Sequence, residues 1–264
     1  MLLHEPMAAS SSSPSGTSGP ASLKDRGPAP VAFEDVAVLH DDVLMLDGAS
    51  GHVPPGGVLA LRGANGSGKT TLLRVLAGMI APTAGRVQIA GRVPDDRDRR
   101  FRRTLAALIG PPITARDLTV AEHLRFIGAT WGSPASAAAS LADDLLEELA
   151  ISALARRYPH ELSSGQSQLV AIALTLARPL DVLLLDEPEQ RLDPDRLDLV
   201  IEALQRRVDH GSALVIATHS PHLAGALATD TLTLVGEDGD GGGEPEAATE
   251  TTGTETATGP GERA

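Results

Sequence analysis

The chain has 264 residues, no cysteine, and 35 acidic against 22 basic side chains, which gives a formal net charge of −13. The absence of cysteine excludes disulfides and thiolate metal sites and fits a reducing compartment. The acidic balance argues against a nucleic-acid surface, because phosphate backbones are bound by clustered Lys and Arg. No apolar run approaches the roughly 18 residues of a membrane span, so any role at a membrane would be at its surface.

The two ends of the chain differ in composition from its middle. Ser, Gly and Pro dominate residues 8–30, and Gly, Thr and Glu dominate residues 236–264. Neither end has enough apolar side chains to offset the entropy cost of ordering. We therefore predict a disordered leader over residues 1–30, a folded domain over residues 31–235 and a disordered acidic tail over residues 236–264.

Short apolar runs alternate with helical patterns in the middle of the chain, which predicts an α/β fold with a mostly parallel sheet covered by helices. The predicted strands are residues 58–61, 86–89, 105–109, 182–185, 213–217 and 231–235. The predicted helices are residues 69–77, 119–131, 137–149, 164–177 and 194–208. Residues from about 94 to 160 have mainly helical periodicity, which predicts a helical insertion between two parts of the sheet.

The first predicted strand leads directly into a phosphate-loop pattern, two glycines five apart followed by Lys and Thr. Glycines allow successive backbone N–H groups to surround a phosphate, and the helix that begins there adds the positive end of its dipole. We predict that Lys69 reaches the β- and γ-phosphates of ATP and that the Thr70 hydroxyl binds Mg²⁺. The predicted loop comprises Gly63, Ala64, Asn65, Gly66, Ser67, Gly68, Lys69, Thr70 and Thr71.

A second element is the apolar strand 182–185, which ends in Asp186 and Glu187. Carboxylates at the carboxyl end of a parallel strand lie where open α/β sheets bind ligands. We predict that Asp186 holds the Mg²⁺ shell and that Glu187 polarises the attacking water. Alone, such a pair could simply mark a strand that reaches the surface, but its place after a phosphate loop favours catalysis.

Between these elements lies the segment Leu-Ser-Ser-Gly-Gln, residues 162–166, at the start of a predicted helix. Here the sequence resembles the ABC transporter ATPases, whose signature is Leu-Ser-Gly-Gly-Gln, with Ser164 replacing the first glycine. The resemblance implies that Ser163, Ser164, Gly165 and Gln166 close over the ATP held by the phosphate loop of a partner ATPase domain. An ordinary helix N-cap explains the two serines equally well.

The same resemblance assigns three further residues. Asp193 lies at the position of a loop that contacts the partner across the dimer, and His219 lies at the position of a switch histidine that contacts the γ-phosphate and helps to place the water. Where the family usually has an aromatic side chain that stacks on adenine, this chain has His40. The sequence therefore resembles a P-loop NTPase of the ABC type, which adds an antiparallel β part and a helical subdomain to the fold.

One segment departs from the family pattern. Relatives usually have a glutamine in the loop before the helical insertion that links Mg²⁺ and water to the permease contact, whereas residues 108–124 contain none. Some bacterial export-type relatives share this departure, so the resemblance favours export.

The resemblance further implies two partners, a homodimeric or heterodimeric ATPase domain and an integral membrane permease. The permease would dock near residues 111–125 and hold the chain at the cytoplasmic face of the membrane. No nucleic acid is expected. Two alternatives stay open: a soluble ABC-type ATPase of DNA repair or translation, and a nucleotide-binding regulator that does not hydrolyse ATP.

Overall fold

The computed structural model describes residues 30–236. The predicted leader, apart from Pro30, and the predicted acidic tail, apart from Gly236, lie outside the described residues. Within residues 30–236 the strands are β1 (Val31–His40), β2 (Val43–Val53), β3 (Val58–Arg62), β4 (Ala84–Ile89), β5 (Leu105–Leu108), β6 (Val182–Asp186), β7 (Ala213–Ala217) and β8 (Asp230–Thr233). The α-helices are α1 (Lys69–Leu76), α2 (Arg99–Thr104), α3 (Val120–Thr130), α4 (Ala135–Glu148), α5 (Ser164–Leu176), α6 (Pro194–Asp209) and α7 (Pro221–Leu227).

The main sheet has five parallel strands in the order β5-β6-β7-β3-β8. Its central strands are apolar on both faces, because both faces of the parallel sheet are covered by other elements. All of Val182, Leu183, Leu184 and Leu185 are buried in β6. This continuous burial explains why the strands of the main sheet were predictable as short apolar runs.

A second sheet is antiparallel, with three strands in the order β2-β1-β4. The sequence did not predict β1 or β2 as strands, whereas the strand predicted over residues 86–89 is present as part of β4 and belongs to this antiparallel sheet. These strands are only partly buried: the first three residues of β1 are all buried, whereas most residues of β2 and β4 are exposed or half-buried. Register shifts between Phe33 and Leu39 interrupt the alternation on β1. Bulged and partly buried strands have no regular pattern: β2 begins with the apolar run 43–46, of which only Leu46 is buried.

Two hydrophobic clusters hold the layers together. One lies between the sheets and contains α1, through side chains such as Leu72 and Leu76 that belong to the same cluster as Phe33 of β1. The other lies between the opposite face of the main sheet and helices α3 to α7. Side chains of β6 alternate between the clusters, with Leu184 in the first and Leu183 in the second, as the two-residue period of a strand requires.

The predicted helical insertion, about 94–160, contains more than helices. It includes β5, which pairs with β6 in the main sheet, so the helical part outside the sheet starts with α3. The sequence also missed α2 and α7, both short. Helix α2 is mostly arginine and buries Phe101, whereas α7 begins at Pro221 and buries two leucines, so neither has a long apolar stripe.

No helix within residues 30–236 is long and apolar enough to cross a membrane.

The Leu183 side chain is fully buried in β6, whereas the Leu39 side chain near the end of β1 is exposed. Leu183→Ala should lower the free energy of unfolding by about 2–5 kcal/mol, because it leaves a cavity in the core. Leu39→Ala is the matched control and should change that free energy by less than about 0.5 kcal/mol. Urea unfolding measures both variants. Equal losses in the two would contradict the assigned core.

Candidate functional site

The predicted phosphate loop connects β3 to α1 at the carboxyl edge of the main sheet. Gly63 and Gly68 have positive φ angles of 142° and 92°, and an added Cβ would lie 2.3 Å from the Leu234 carbonyl oxygen or 2.8 Å from the Met45 carbonyl oxygen, respectively. Only glycine fits both constraints. The loop is therefore held tightly between strand β2 and the segment that follows β8.

Lys69, the first residue of α1, is 6% exposed. Its ammonium group donates hydrogen bonds to the carbonyl oxygens of Gly63 and Ala64, both at 2.9 Å. The side chain thus folds back across its own loop, and the backbone carbonyl oxygens of the loop hold its charged group. A compact cation in that position suits a phosphate oxygen.

The phosphate loop and the acidic strand meet through one side-chain contact. The Thr70 hydroxyl donates a hydrogen bond of 2.7 Å to the Asp186 carboxylate. A hydroxyl and a carboxylate oxygen are the hard oxygen donors that Mg²⁺ prefers. The two residues predicted as metal ligands are therefore adjacent, and their chemistry fits the ion.

Burial raises the pKa of the Asp186 carboxyl above its ordinary value. The hydrogen bond from Thr70 acts in the opposite direction, the negative charge of Glu187 raises the pKa further, and the positive charge of Lys69 lowers it. Because the net shift is upward, the ionised Asp186 carboxylate lowers the stability of the folded protein when no cation is bound beside it. A cation bound beside it would remove that cost.

Glu187 and His219, the two predicted water-positioning residues, face each other. The His219 Nε2 atom lies 3.3 Å from the Glu187 Oε1 atom, and the amide of Gln190 contacts the other carboxylate oxygen of Glu187. Glu187 has a positive φ of 48°, which is strained for a residue with a side chain. Its N–H donates to the Ala217 carbonyl oxygen at 2.8 Å. Backbone strain at this position is consistent with a functional constraint.

A cavity of about 440 Å³ opens beside the phosphate loop. The side chains of Lys69, Thr70 and Glu187 line it, together with residues 43–45 of β2. His40, the predicted adenine contact, is not among the lining residues. Its side chain is 78% exposed at the end of β1, and its imidazole lies 3.5 Å from Asp41. The structure therefore does not bring His40 to the cavity, and residues 43–45 occupy that wall instead.

The predicted signature segment begins α5. Ser163 and Gln166 form a capping box, with the Ser163 hydroxyl accepting from the Gln166 N–H at 3.3 Å and the Gln166 side chain accepting from the Ser163 N–H at 3.0 Å. An added Cβ on Gly165 would lie 2.7 Å from the Arg191 carbonyl oxygen, so glycine is required there. None of the four predicted residues lines the cavity of the phosphate loop in the same chain.

Ser164 lies elsewhere, in a second cavity of about 220 Å³. Asp186, Glu187 and the segment 110–112 also line it, so the two cavities meet at Glu187. Asp193, the predicted contact across a dimer, caps α6, where its carboxylate accepts from the Arg196 N–H at 3.0 Å. A helix cap accounts for the side chain of Asp193 within one chain.

Sequence reasoning missed Glu189 and Gln190 as members of the site. Both follow the acidic strand, and both side chains point back to the reactive edge, toward the turn after β7 and toward Glu187 respectively. The only signal in the sequence was the proximity of these polar residues to Asp186 and Glu187. Their partners could not be identified without the fold.

The end of the described chain supports the phosphate loop from behind. The Leu234 N–H donates to the Arg62 carbonyl oxygen at 2.8 Å, directly after β8. The backbone of Gly236 then passes close to Ser67 of the loop. The loop is thus enclosed by β2 on one side and by the segment that follows β8 on the other.

A glycine-lined loop with a buried lysine, a hydroxyl bonded to a carboxylate and a Glu–His pair at the carboxyl edge of a parallel sheet define a phosphate-loop NTPase. The profile of the ABC transporter family matches residues 46–190, and the chain belongs to this family. The lipoprotein-releasing system ATP-binding protein LolD of Maricaulis maris is 34% identical over 189 residues, which cover 69% of this chain and 82% of that protein.

The Nod factor export ATP-binding protein I of Burkholderia pseudomallei (strain 1710b) is 36% identical over 191 residues, 72% of this chain. The match spans 63% of that relative's length. Among solved structures, an ATP-binding subunit of an ABC transporter aligns with a TM-score of 0.72 at 24% identity, over 78% of this chain and 86% of that one. The α/β fold with its antiparallel part and helices, predicted from the resemblance, is confirmed.

Asp186→Asn should stabilise the protein in the absence of nucleotide and Mg²⁺. Because the pKa of Asp186 is raised on folding, the folded protein binds a proton more readily than the unfolded chain. The free energy of unfolding therefore falls as the pH rises through the folded-state pKa. We expect a higher midpoint of thermal unfolding than wild type at pH 7, by ~2–4 °C for each kcal/mol recovered. The gain should shrink as the pH falls toward the ordinary value of 3.8.

Asp144→Asn, at an exposed position on α4, is the control and should leave the midpoint of thermal unfolding close to that of wild type. Thermal unfolding at a series of pH values measures both variants. A midpoint for Asp186→Asn at or below that of wild type at pH 7 would show that the carboxylate is not costly.

Proposed function

We propose that this protein is the ATP-binding and ATP-hydrolysing subunit of an ABC exporter and that it drives a separate membrane permease. The observation that carries the proposal is the convergence of Lys69, the Thr70–Asp186 pair and the Glu187–His219 pair at one edge of the sheet. The two pairs join segments distant in sequence. Together these groups supply the parts that phosphoryl transfer to water needs.

The roles follow from the positions of these groups. Lys69 and the loop N–H groups would hold the β- and γ-phosphates of ATP, and Thr70 and Asp186 would hold Mg²⁺, which supplies charge neutralisation on the phosphates. Glu187 would accept a proton from the attacking water, and His219 would orient that water and contact the γ-phosphate. Adenine would lie over the wall formed by residues 43–45, whose first residue, Val43, pairs with His40 across the β1–β2 hairpin.

The relatives support the direction of transport and the partners. The names of two of them describe Nod factor export and a lipoprotein-releasing system. A solved cassette described as a dimer in a post-hydrolysis state with ADP and Pi shares the fold, with a TM-score of 0.70 at 22% identity over 78% of this chain and 96% of that one. We propose the same two-domain arrangement here, as a homodimer or a heterodimer.

In that arrangement Ser163, Ser164, Gly165 and Gln166 would face the nucleotide of the partner domain, since they do not line the cavity of their own phosphate loop. Asp193 would lie at the same interface. The permease would dock on residues 111–125, which overlap the segment 108–124 that lacks glutamine, and would hold the protein at the cytoplasmic face of the membrane. No nucleic acid takes part.

Glu187→Gln tests the proposal, because it removes the proton acceptor and keeps the shape of the side chain. We expect steady-state hydrolysis of Mg²⁺–ATP to fall by about 100-fold or more, while the Kd for ATP stays within about threefold. Glu202→Gln, on the exposed face of α6, is the matched control and should hydrolyse ATP at the wild-type rate. Wild-type activity should rise more than proportionally with protein concentration if two domains are required.

Two outcomes would contradict the proposal. Unchanged hydrolysis in Glu187→Gln would remove Glu187 from the reaction. Tight ATP binding without hydrolysis in the wild type, even with a membrane permease present, would favour the nucleotide-binding regulator instead.

A further inference from the structure

We propose that Glu189 is a positioning residue for His219, because its carboxylate fixes the turn after β7 so that the His219 ring faces Glu187. The inference rests on the proposed hydrolysis at Glu187. Glu189 would then be the second carboxylate after β6, besides Glu187, that contributes to hydrolysis. It would act through His219 and would not contact the reacting atoms.

One oxygen of Glu189 gathers three donors from consecutive residues. The Oε1 atom accepts hydrogen bonds from the Thr218 hydroxyl at 2.5 Å, the His219 N–H at 2.9 Å and the Ser220 N–H at 3.2 Å. The Thr218 hydroxyl in turn accepts from the Ser220 N–H at 2.9 Å. Hydrogen bonds to an ionised carboxylate are short and strong. The Ser220 N–H is shared between the Glu189 carboxylate and the Thr218 hydroxyl, so the three residues form one hydrogen-bond network with Glu189.

In the turn after β7, the N–H groups of His219 and Ser220 bond to side-chain oxygens, whereas the Thr218 N–H donates to the Leu61 carbonyl oxygen at 3.3 Å. Strand β7 ends at Ala217 and helix α7 begins at Pro221, so the three intervening residues lie between the sheet ladder and the helix. The N–H groups of His219 and Ser220 point to Glu189. Without the carboxylate, the backbone N–H of His219 would bond to water instead. The backbone of His219 would then no longer hold the imidazole ring in its orientation toward Glu187.

The two carboxylates after β6 hold His219 from opposite ends. Glu187 contacts the ring at 3.3 Å, and Glu189 holds the backbone of the same residue at 2.9 Å. Because both acids lie within three residues of one segment, the distance between the ring and the reactive carboxylate depends on the position of that segment. A movement of the segment after β6 would carry His219 with it.

The burial of one Glu189 oxygen indicates that the packing of the protein determines the position of this side chain. Its second oxygen, Oε2, is buried and has no hydrogen-bond partner within residues 30–236. An unsatisfied buried oxygen is unfavourable, so a side chain that serves only solubility would turn outward. The three bonds to the turn are what keep the carboxylate in place.

Glu189→Ala and Glu189→Gln in the full-length chain test the proposal. The alanine variant should lower the maximal rate of ATP hydrolysis by about tenfold or more while the KM for ATP stays within about threefold. The glutamine variant keeps an acceptor oxygen and should restore most of the rate. Amide hydrogen exchange at His219 and Ser220 should accelerate by about tenfold or more in the alanine variant and little in the glutamine variant.

Asp98→Ala is the matched control, because it removes a carboxylate that accepts a backbone N–H, that of Arg100 at 2.8 Å, at the start of α2. It should leave both the rate and the exchange at His219 unchanged. This control separates loss of a hydrogen-bonded carboxylate in general from loss of the turn.

Unchanged amide exchange at His219 in Glu189→Ala would overturn the proposal, as would faster exchange with a wild-type rate of hydrolysis. A parallel rise of KM with the fall in rate would indicate damage to ATP binding and would also overturn it. A wild-type chain without hydrolysis would count against the proposed function, while amide exchange would still decide whether Glu189 holds the turn.

Discussion

The hydrogen bond between the Thr70 hydroxyl and the Asp186 carboxylate joins two segments 116 residues apart, and the rest of the site is arranged around it. The bond exists because β3 and β6 are parallel members of one sheet, separated by β7, so that both strands deliver their next residues to the same edge. The loop after β3 brings Thr70, and the end of β6 brings Asp186. Burial of β6 on both faces fixes where the carboxylate emerges.

Unfavourable features are concentrated in the four residues that follow the buried part of β6. Asp186 has a raised pKa, Glu187 has a positive φ, and Glu189 keeps a buried oxygen without a partner among the described residues. Each costs free energy in the isolated fold, about 1–3 kcal/mol for strain or an unsatisfied group. The two hydrophobic clusters on either side of β6 stabilise the fold and offset these unfavourable contributions. Such concentration is typical of sites selected for chemistry rather than for stability.

The sequence predicted what is local or what is buried on both faces. The phosphate loop is contiguous, and β6 and β7 are uninterrupted apolar runs, so both could be found without partners. The hairpin of β1 and β2 could not, because its strands are only partly buried and bulges break the period. The position of His40 depends on that hairpin. Glu189 was missed for a different reason: the atoms it binds lie 29 to 31 residues further along the chain.

Residues 234–236 follow β8 and pack against the phosphate loop, so the conformation of the loop depends on the length of β8. Leu234 bonds to Arg62, and its carbonyl oxygen fills the space where Gly63 could otherwise have carried a side chain. An insertion or deletion of one residue in β8 would reverse which face each side chain points to and would withdraw this carbonyl oxygen from the loop. The register of β8 is therefore under the same selection as the phosphate loop itself.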